Sequence, residues 1–179
     1  MKEIIITKND SGQRTDKFLM KYFSKAPKSF VYKMLRKKRI KLNGARADGA
    51  EMLNEGDSIQ MYLSEETMDG FKEERVIKKA SSDIDVVYED ENIIAVNKPA
   101  GVLSHAEKAG DDDTLIDRIL SYLNEKGGYD PEKERTFVPA LCNRLDRNTS
   151  GIVIAGKNSE ALRQINEAVK LKSIKKYYK

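Results

Sequence analysis

Residues Arg144-Leu145-Asp146-Arg147-Asn148-Thr149-Ser150-Gly151 set one carboxylate between two arginines, and the apolar run Ile152-Val153-Ile154-Ala155 follows. The pattern reads as a loop entering a buried strand, with an acid held at the strand's edge. Reactive and binding groups are often carried this way, on loops fixed by a rigid scaffold. An ionised carboxylate so placed can attack as a nucleophile and form a covalent adduct, or it can remove a proton as a base. The residues alone leave both open. Arg144 and Arg147 lie close in sequence, and a nearby cation favours the charged form of an acid. The plainer alternative is a surface Asp–Arg pair ahead of a turn.

Other reactive side chains are sparse. The chain has one histidine, His105, and one cysteine, Cys142, so no internal disulfide is possible and a zinc site lacks its ligands. Cys142 stands next to a strand and reads as a small apolar residue. Asp111-Asp112-Asp113 precedes Thr114, where acids suit the start of a helix. Lys98-Pro99-Ala100-Gly101 reads first as a turn. No phosphate-loop, dinucleotide or metal-ligand pattern occurs, so no cofactor and no metal are implied.

These groups need elements to position them. In the first part, Thr15 is placed to cap a short helix bearing Phe18, Leu19 and Tyr22 at helical spacing. Ser29 starts a second helix with Phe30, Met34, Val31 and Leu35 turned inward, closed by the basic run Arg36-Lys37-Lys38-Arg39. Ile40-Lys41-Leu42 alternates as a strand, Asn43-Gly44 signals a tight turn, and Ile59 to Leu63 is another strand. Residues 64–82 are polar and read as a linker. In the second part, Ile84 to Tyr88 and Ile93 to Val96 are strands, and Thr114 caps a helix carrying Leu115, Ile119, Leu120 and Leu123. Ile152 to Ala155 is a strand, and Asn158 or Ser159 caps a helix with Leu162, Ile165 and Val169 on one stripe. Ser173 to Lys179 begins a further strand. The expected division is 1–63, a linker 64–82, and 83–179.

Charge separates the two parts. From Arg14 to Arg46 there are twelve Lys or Arg against one acid, Asp16, a net +11 that leaves −7 for the rest. Such a block fits an anionic partner. Arg14, Lys17, Lys28, Lys33, Arg36, Lys37, Lys38, Arg39, Lys41 and Arg46 are the candidate nucleic-acid contacts. No stretch is long and apolar enough to span a membrane, and the N-terminus lacks a signal-peptide pattern, so a reducing cytoplasm is the expected location.

Two resemblances follow from these residues. Arg14-Thr15-Asp16-Lys17-Phe18-Leu19, Ser29, Leu35-Arg36, Ile40 to Gly44 and Gly56 to Ile59 resemble the S4 (αL-type) RNA-binding domain over about fifty residues. Tyr88 to Gly101, Arg144 to Gly151 and Lys176-Tyr177-Tyr178 resemble, in order, the RluA-type RNA pseudouridine synthases. Together they imply an α+β chain: a small S4 domain, then part of a mixed, mainly antiparallel sheet domain with flanking helices.

The resemblance implies an isomerase that turns uridine into pseudouridine in structured RNA, ribosomal RNA first and transfer RNA second. It implies no cofactor and no protein partner. Asp146 matches the catalytic carboxylate. Arg144 matches a residue that holds the flipped strand or fills the vacated stack, Arg147 adds positive charge for RNA, and Tyr178 matches the tyrosine that stacks on uracil. Asn143 stands where the family commonly has histidine. Family catalytic domains run past the Lys-x-Tyr strand, so a truncated domain is expected. The alternative is a non-catalytic RNA-binding fragment or degenerate homologue that retains the S4 domain.

Overall fold

The computed structural model describes residues 1–71, 77–134 and 136–177. The chain forms two compact units, Met1–Arg75 with Arg135–Phe137, and Val76–Glu134 with Val138–Lys179. Each sets helices against a four-stranded antiparallel sheet, in keeping with the α+β reading. Among the described residues no helix is long and apolar enough to cross a membrane.

The first unit runs β1 (Lys2–Ile5), α1 (Thr15–Tyr22), α2 (Lys28–Arg36), β2 (Ile40–Leu42), β3 (Ala45–Arg46), β4 (Ser58–Met61) and α3 (Glu65–Gly70), with strand order β1-β4-β2-β3. Phe18, Leu19 and Tyr22 bury one stripe of α1 against Ile40, Ile59 and Met61 of the sheet. On α2 the fully buried residues are Val31 and Leu35, while Phe30 and Met34 pack half-buried at the core's margin. Asn43 and Gly44 both take positive φ, 50° and 78°, as the tight hairpin between β2 and β3 requires.

The helix starts differ from expectation. Thr15 lies inside α1, and its hydroxyl donates to the Glu51 carbonyl at 3.1 Å instead of capping. Ser29 likewise lies inside α2, which begins at Lys28 after Pro27. The 64–71 stretch is also more than a linker. Ser64 accepts the Thr67 amide to cap α3, Met68 is buried in the first core, and Phe71 packs 4.5 Å from Phe30.

The second unit runs β5 (Val86–Glu89), β6 (Ile93–Lys98), α4 (Leu115–Glu125), β7 (Ala140–Leu141), β8 (Gly151–Gly156) and α5 (Ser159–Lys170), with strand order β5-β6-β8-β7. Thr114 and Asp117 form a reciprocal capping box at the start of α4. Leu115, Ile119 and Leu123 of α4 pack on Ile94, Val96, Val153 and Ala155 of β6 and β8. Asn158 caps α5 through the Ala161 amide at 2.8 Å. The stripe Leu162, Ile165 and Val169 is only half-buried, and Ala161 alone on α5 is buried. Residues 173–177, expected to open a strand, form none; no described strand pairs with them, and an extended segment holds only where its backbone groups find partners.

Candidate active site and basic surface

The Asp146 loop joins β7 to β8 and is tied down on both sides of the acid. Before it, the Ser104 hydroxyl donates to the Leu145 carbonyl at 2.6 Å and accepts the Leu145 amide at 3.1 Å. After it, the Arg147 carbonyl accepts the Gly101 amide at 2.8 Å, and Arg147 Nε donates back to the Gly101 carbonyl at 3.2 Å. The Thr149 amide donates to the Asp146 carbonyl at 3.1 Å, closing the turn. Gly151 then enters β8 at φ 143°, a conformation side chains rarely adopt, with Leu145 packed 3.3 Å from where a Cβ would stand. The Asp146 side chain is left exposed on a loop whose neighbours are fixed.

Lys98 supports this loop from below. It is fully buried, and its Nζ donates to the carbonyls of Pro99 at 3.1 Å, Val102 at 2.7 Å and Arg147 at 3.2 Å. Burial pushes its pKa below the ordinary lysine value, and the negative charge of Asp146 acts in the opposite direction. Lys98 is therefore more than part of a turn: it is a buried cation beneath the loop that feels the charge of Asp146. Among the described residues neither Arg144 nor Arg147 forms an ion pair with Asp146, so the plainer alternative of a surface Asp–Arg pair is not what the loop holds. Arg147 is turned to the Gly101 carbonyl, and its charge acts on Asp111. A signal for Lys98 did exist, because the period of two from Ile94 and Val96 puts position 98 on the core side of β6. Ser104 carried no such signal.

Arg144 lines a cleft of about 420 Å³ together with Cys142, Ile152, Ile154, Ile165, Val169 and Tyr177. The cleft is thus apolar in its walls with cations from Arg144, Lys175 and Lys176 on its lining. Asn143 holds β8 in place: its Oδ1 accepts the Ile154 amide at 2.8 Å and its Nδ2 donates to the Ile152 carbonyl at 3.1 Å. The Cys142 thiol is buried and its pKa is pushed up by that burial. His105 is exposed. Tyr178 lies outside the described residues. Asp113 pairs with Arg118 and Asp112 with Lys78, while Asp111 accepts the Glu107 and Lys108 amides.

The ten basic candidates of the first unit all reach its surface, Lys41 half-buried and the rest exposed. Arg14 differs from the others because its Nε and Nη2 donate to the Asp16 carboxylate at 3.1 and 3.0 Å, which Tyr32 also meets at 3.2 Å. Burial alone would raise the pKa of Asp16, but these bonds hold it below the usual aspartate value. Arg14 is thus first a structural partner.

Residues 92–179 match the family described as RNA pseudouridylate synthase. An uncharacterized RNA pseudouridine synthase of Mycoplasma capricolum subsp. capricolum is 37% identical over 182 residues, covering 99% of this chain and 58% of that protein. The ribosomal large subunit pseudouridine synthase C of Escherichia coli strain K12 is 31% identical over 181 residues, covering 99% and 53%. The chain spans about half the length of the curated relatives it matches. A solved structure, Human RNA Pseudouridylate Synthase Domain Containing 4, overlaps 50% of this chain and 30% of that one at 19% identity and a TM-score of 0.38, too loose a match to bear on fold or function. Lys98, Ser104 and the Asp146 loop all fall within the stretch, residues 92–179, that matches the RNA pseudouridylate synthase family model.

Proposed function

We propose that the chain is an RNA pseudouridine synthase of the RluA type, isomerising uridines in structured RNA with Asp146 as the catalytic carboxylate. In this isomerisation the bond from uracil N1 to C1′ breaks, the uracil turns, and a bond from C5 to C1′ forms, the C5 proton being released and N1 taking up a proton. The ionised carboxylate serves either as nucleophile or as base toward a sugar proton. The observation that carries the reading is an exposed acid whose flanking residues, Leu145 and Arg147, are each pinned by hydrogen bonds to the 98–104 loop. Holding a reacting group on a fixed support lowers the cost of reaching reacting geometry.

The target uridine must leave its stack, at a cost of a few kcal/mol. Arg144, on the lining of the apolar cleft, is the residue to hold the displaced strand, and Arg147 adds charge for phosphates. Tyr178 remains the candidate for stacking on uracil by family resemblance. The first unit acts as an S4-like docking domain, supported by its net +11 block and by the exposure of its basic side chains. Ribosomal RNA is the first substrate to test, given the name of the Escherichia coli relative, and transfer RNA the second.

The test is tritium release from RNA labelled at uridine C5, run on this chain and on Asp146→Asn. Release that survives the substitution sinks the assignment of Asp146. A second reading, a non-catalytic RNA-binding protein, is favoured by the half-buried stripe of α5, which leaves the cleft wall incompletely covered. RNA binding without tritium release selects it.

A further inference from the structure

The outer face of the first unit's sheet carries an aromatic ring among cations. Alternation along β4 puts Ile59 and Met61 on the core side and leaves Gln60 and Tyr62 on the other. The register continues this outer row across the sheet: Glu3 opposes Gln60, Gln60 opposes Lys41, and Lys41 opposes Arg46. The Tyr62 amide donates to the Arg39 carbonyl at 2.8 Å, which places the Tyr62 backbone opposite the last residue of the basic run. Lys41 Nζ stands 5.3 Å from the ring centroid, and Tyr62 is 37% exposed.

Charge is graded along the row. At the β1 edge the Glu3 carboxylate is engaged by Ser58 and Gln60. At the other end, Lys41 and Arg46 have no ion-pair partner among the described residues. An exposed ring beside unpaired cations offers a stacking surface and phosphate contacts together, the combination by which proteins hold unpaired nucleotides.

We propose that Tyr62 is a base-stacking platform for a nucleotide in a single-stranded segment of the RNA, with Arg39, Lys41 and Arg46 holding the flanking phosphates. The proposal rests on the reading of the first unit as an RNA-docking unit and adds to it a site on the sheet face. A duplex offers no free base faces, so the partner is a loop or bulge, where bases are splayed and stack on aromatic side chains.

The experiment measures fluorescence anisotropy of the full chain with a short labelled oligouridine and with a blunt-ended, loop-free RNA duplex. Tyr62→Leu weakens oligouridine binding by at least about fivefold while Tyr62→Phe stays within about twofold, and duplex affinity is unchanged by either. In parallel, an oligouridine carrying 5-iodouridine cross-links to Tyr62 of the wild-type chain under light. Equal affinity of Tyr62→Leu together with cross-links elsewhere overturns the platform and leaves RNA docking standing. No binding of either RNA by the wild-type chain overturns both. If Tyr62→Leu fails to fold by circular dichroism, the wild-type cross-link decides alone.

Discussion

Ser104 and Leu145 exchange two hydrogen bonds across 41 residues of sequence: the serine hydroxyl donates to the Leu145 carbonyl at 2.6 Å and accepts its amide at 3.1 Å. One buried hydroxyl thereby satisfies both backbone groups of the residue before Asp146. Ser104→Ala leaves both without that partner, at an expected cost of about 1–3 kcal/mol. Urea denaturation checks it; a variant as stable as the wild type shows that the clamp adds nothing. Tritium release falls further than RNA affinity, because the loop that aims the acid loosens.

Lys98→Met removes the ammonium that binds the Pro99, Val102 and Arg147 carbonyls. Expected destabilisation is about 1–3 kcal/mol for each carbonyl left without a donor. The pH dependence is the sharper readout. Burial holds the pKa of Lys98 below 10.5, with Asp146 opposing, so the unfolded chain keeps this proton to higher pH than the folded chain does. Stability from this group therefore rises with pH in the interval below 10.5. Along that interval the wild-type denaturation midpoint rises relative to that of Lys98→Met, so the two diverge; a constant difference shows that the lysine is not perturbed.

Much of the fold was legible because its signals are local. The stripe Phe18, Leu19, Tyr22 and the box Thr114–Asp117 lie within one or two helical turns, and the Asn43-Gly44 pair encodes its own turn. The carboxylate and its loop were legible for the same reason. What supports them was not, since Ser104 and Lys98 meet the loop only after β6 and β8 pair, 41 and 49 residues apart along the chain. Helix α3 was missed because a stretch so short and charged shows no period; the Ser64 cap and the packing of Met68 and Phe71 on the core hold it. The arginines around Asp146 show the converse, because proximity in sequence did not become an ion pair in space.

The same lesson bears on Arg14. Its guanidinium is committed to Asp16, so Arg14→Ala lowers RNA affinity less than Arg36→Ala does and costs stability instead. Binding titrations of the two variants, with parallel melts, separate the roles. A larger affinity loss for Arg14→Ala contradicts the assignment.

Asp16 gives the acid side of stability. Its pKa lies below the ordinary 3.8 because the Arg14 and Tyr32 bonds outweigh the effect of burial. Its stabilising contribution is present above that ordinary value and is lost as pH falls through the folded one. Asp16→Asn lowers stability at neutral pH by about 1–3 kcal/mol and flattens the acid arm of the stability curve. An acid arm identical to that of the wild type shows that another carboxylate controls it.

Asp146→Asn separates chemistry from structure. The side chain is exposed and has no ion pair among the described residues, so its loss changes stability by no more than about 0.5 kcal/mol. The backbone bonds that hold the loop come from Ser104, Gly101 and Lys98, and none uses the Asp146 carboxylate. Tritium release is abolished while RNA affinity stays near wild type. One further change is expected at a distance: Asp146 is the charge that partly offsets the burial of Lys98, so neutralising it lowers the lysine pKa further. Carbon NMR titration of the Lys98 side chain in both proteins measures that shift, and an unchanged lysine titration shows that the two charges are not coupled.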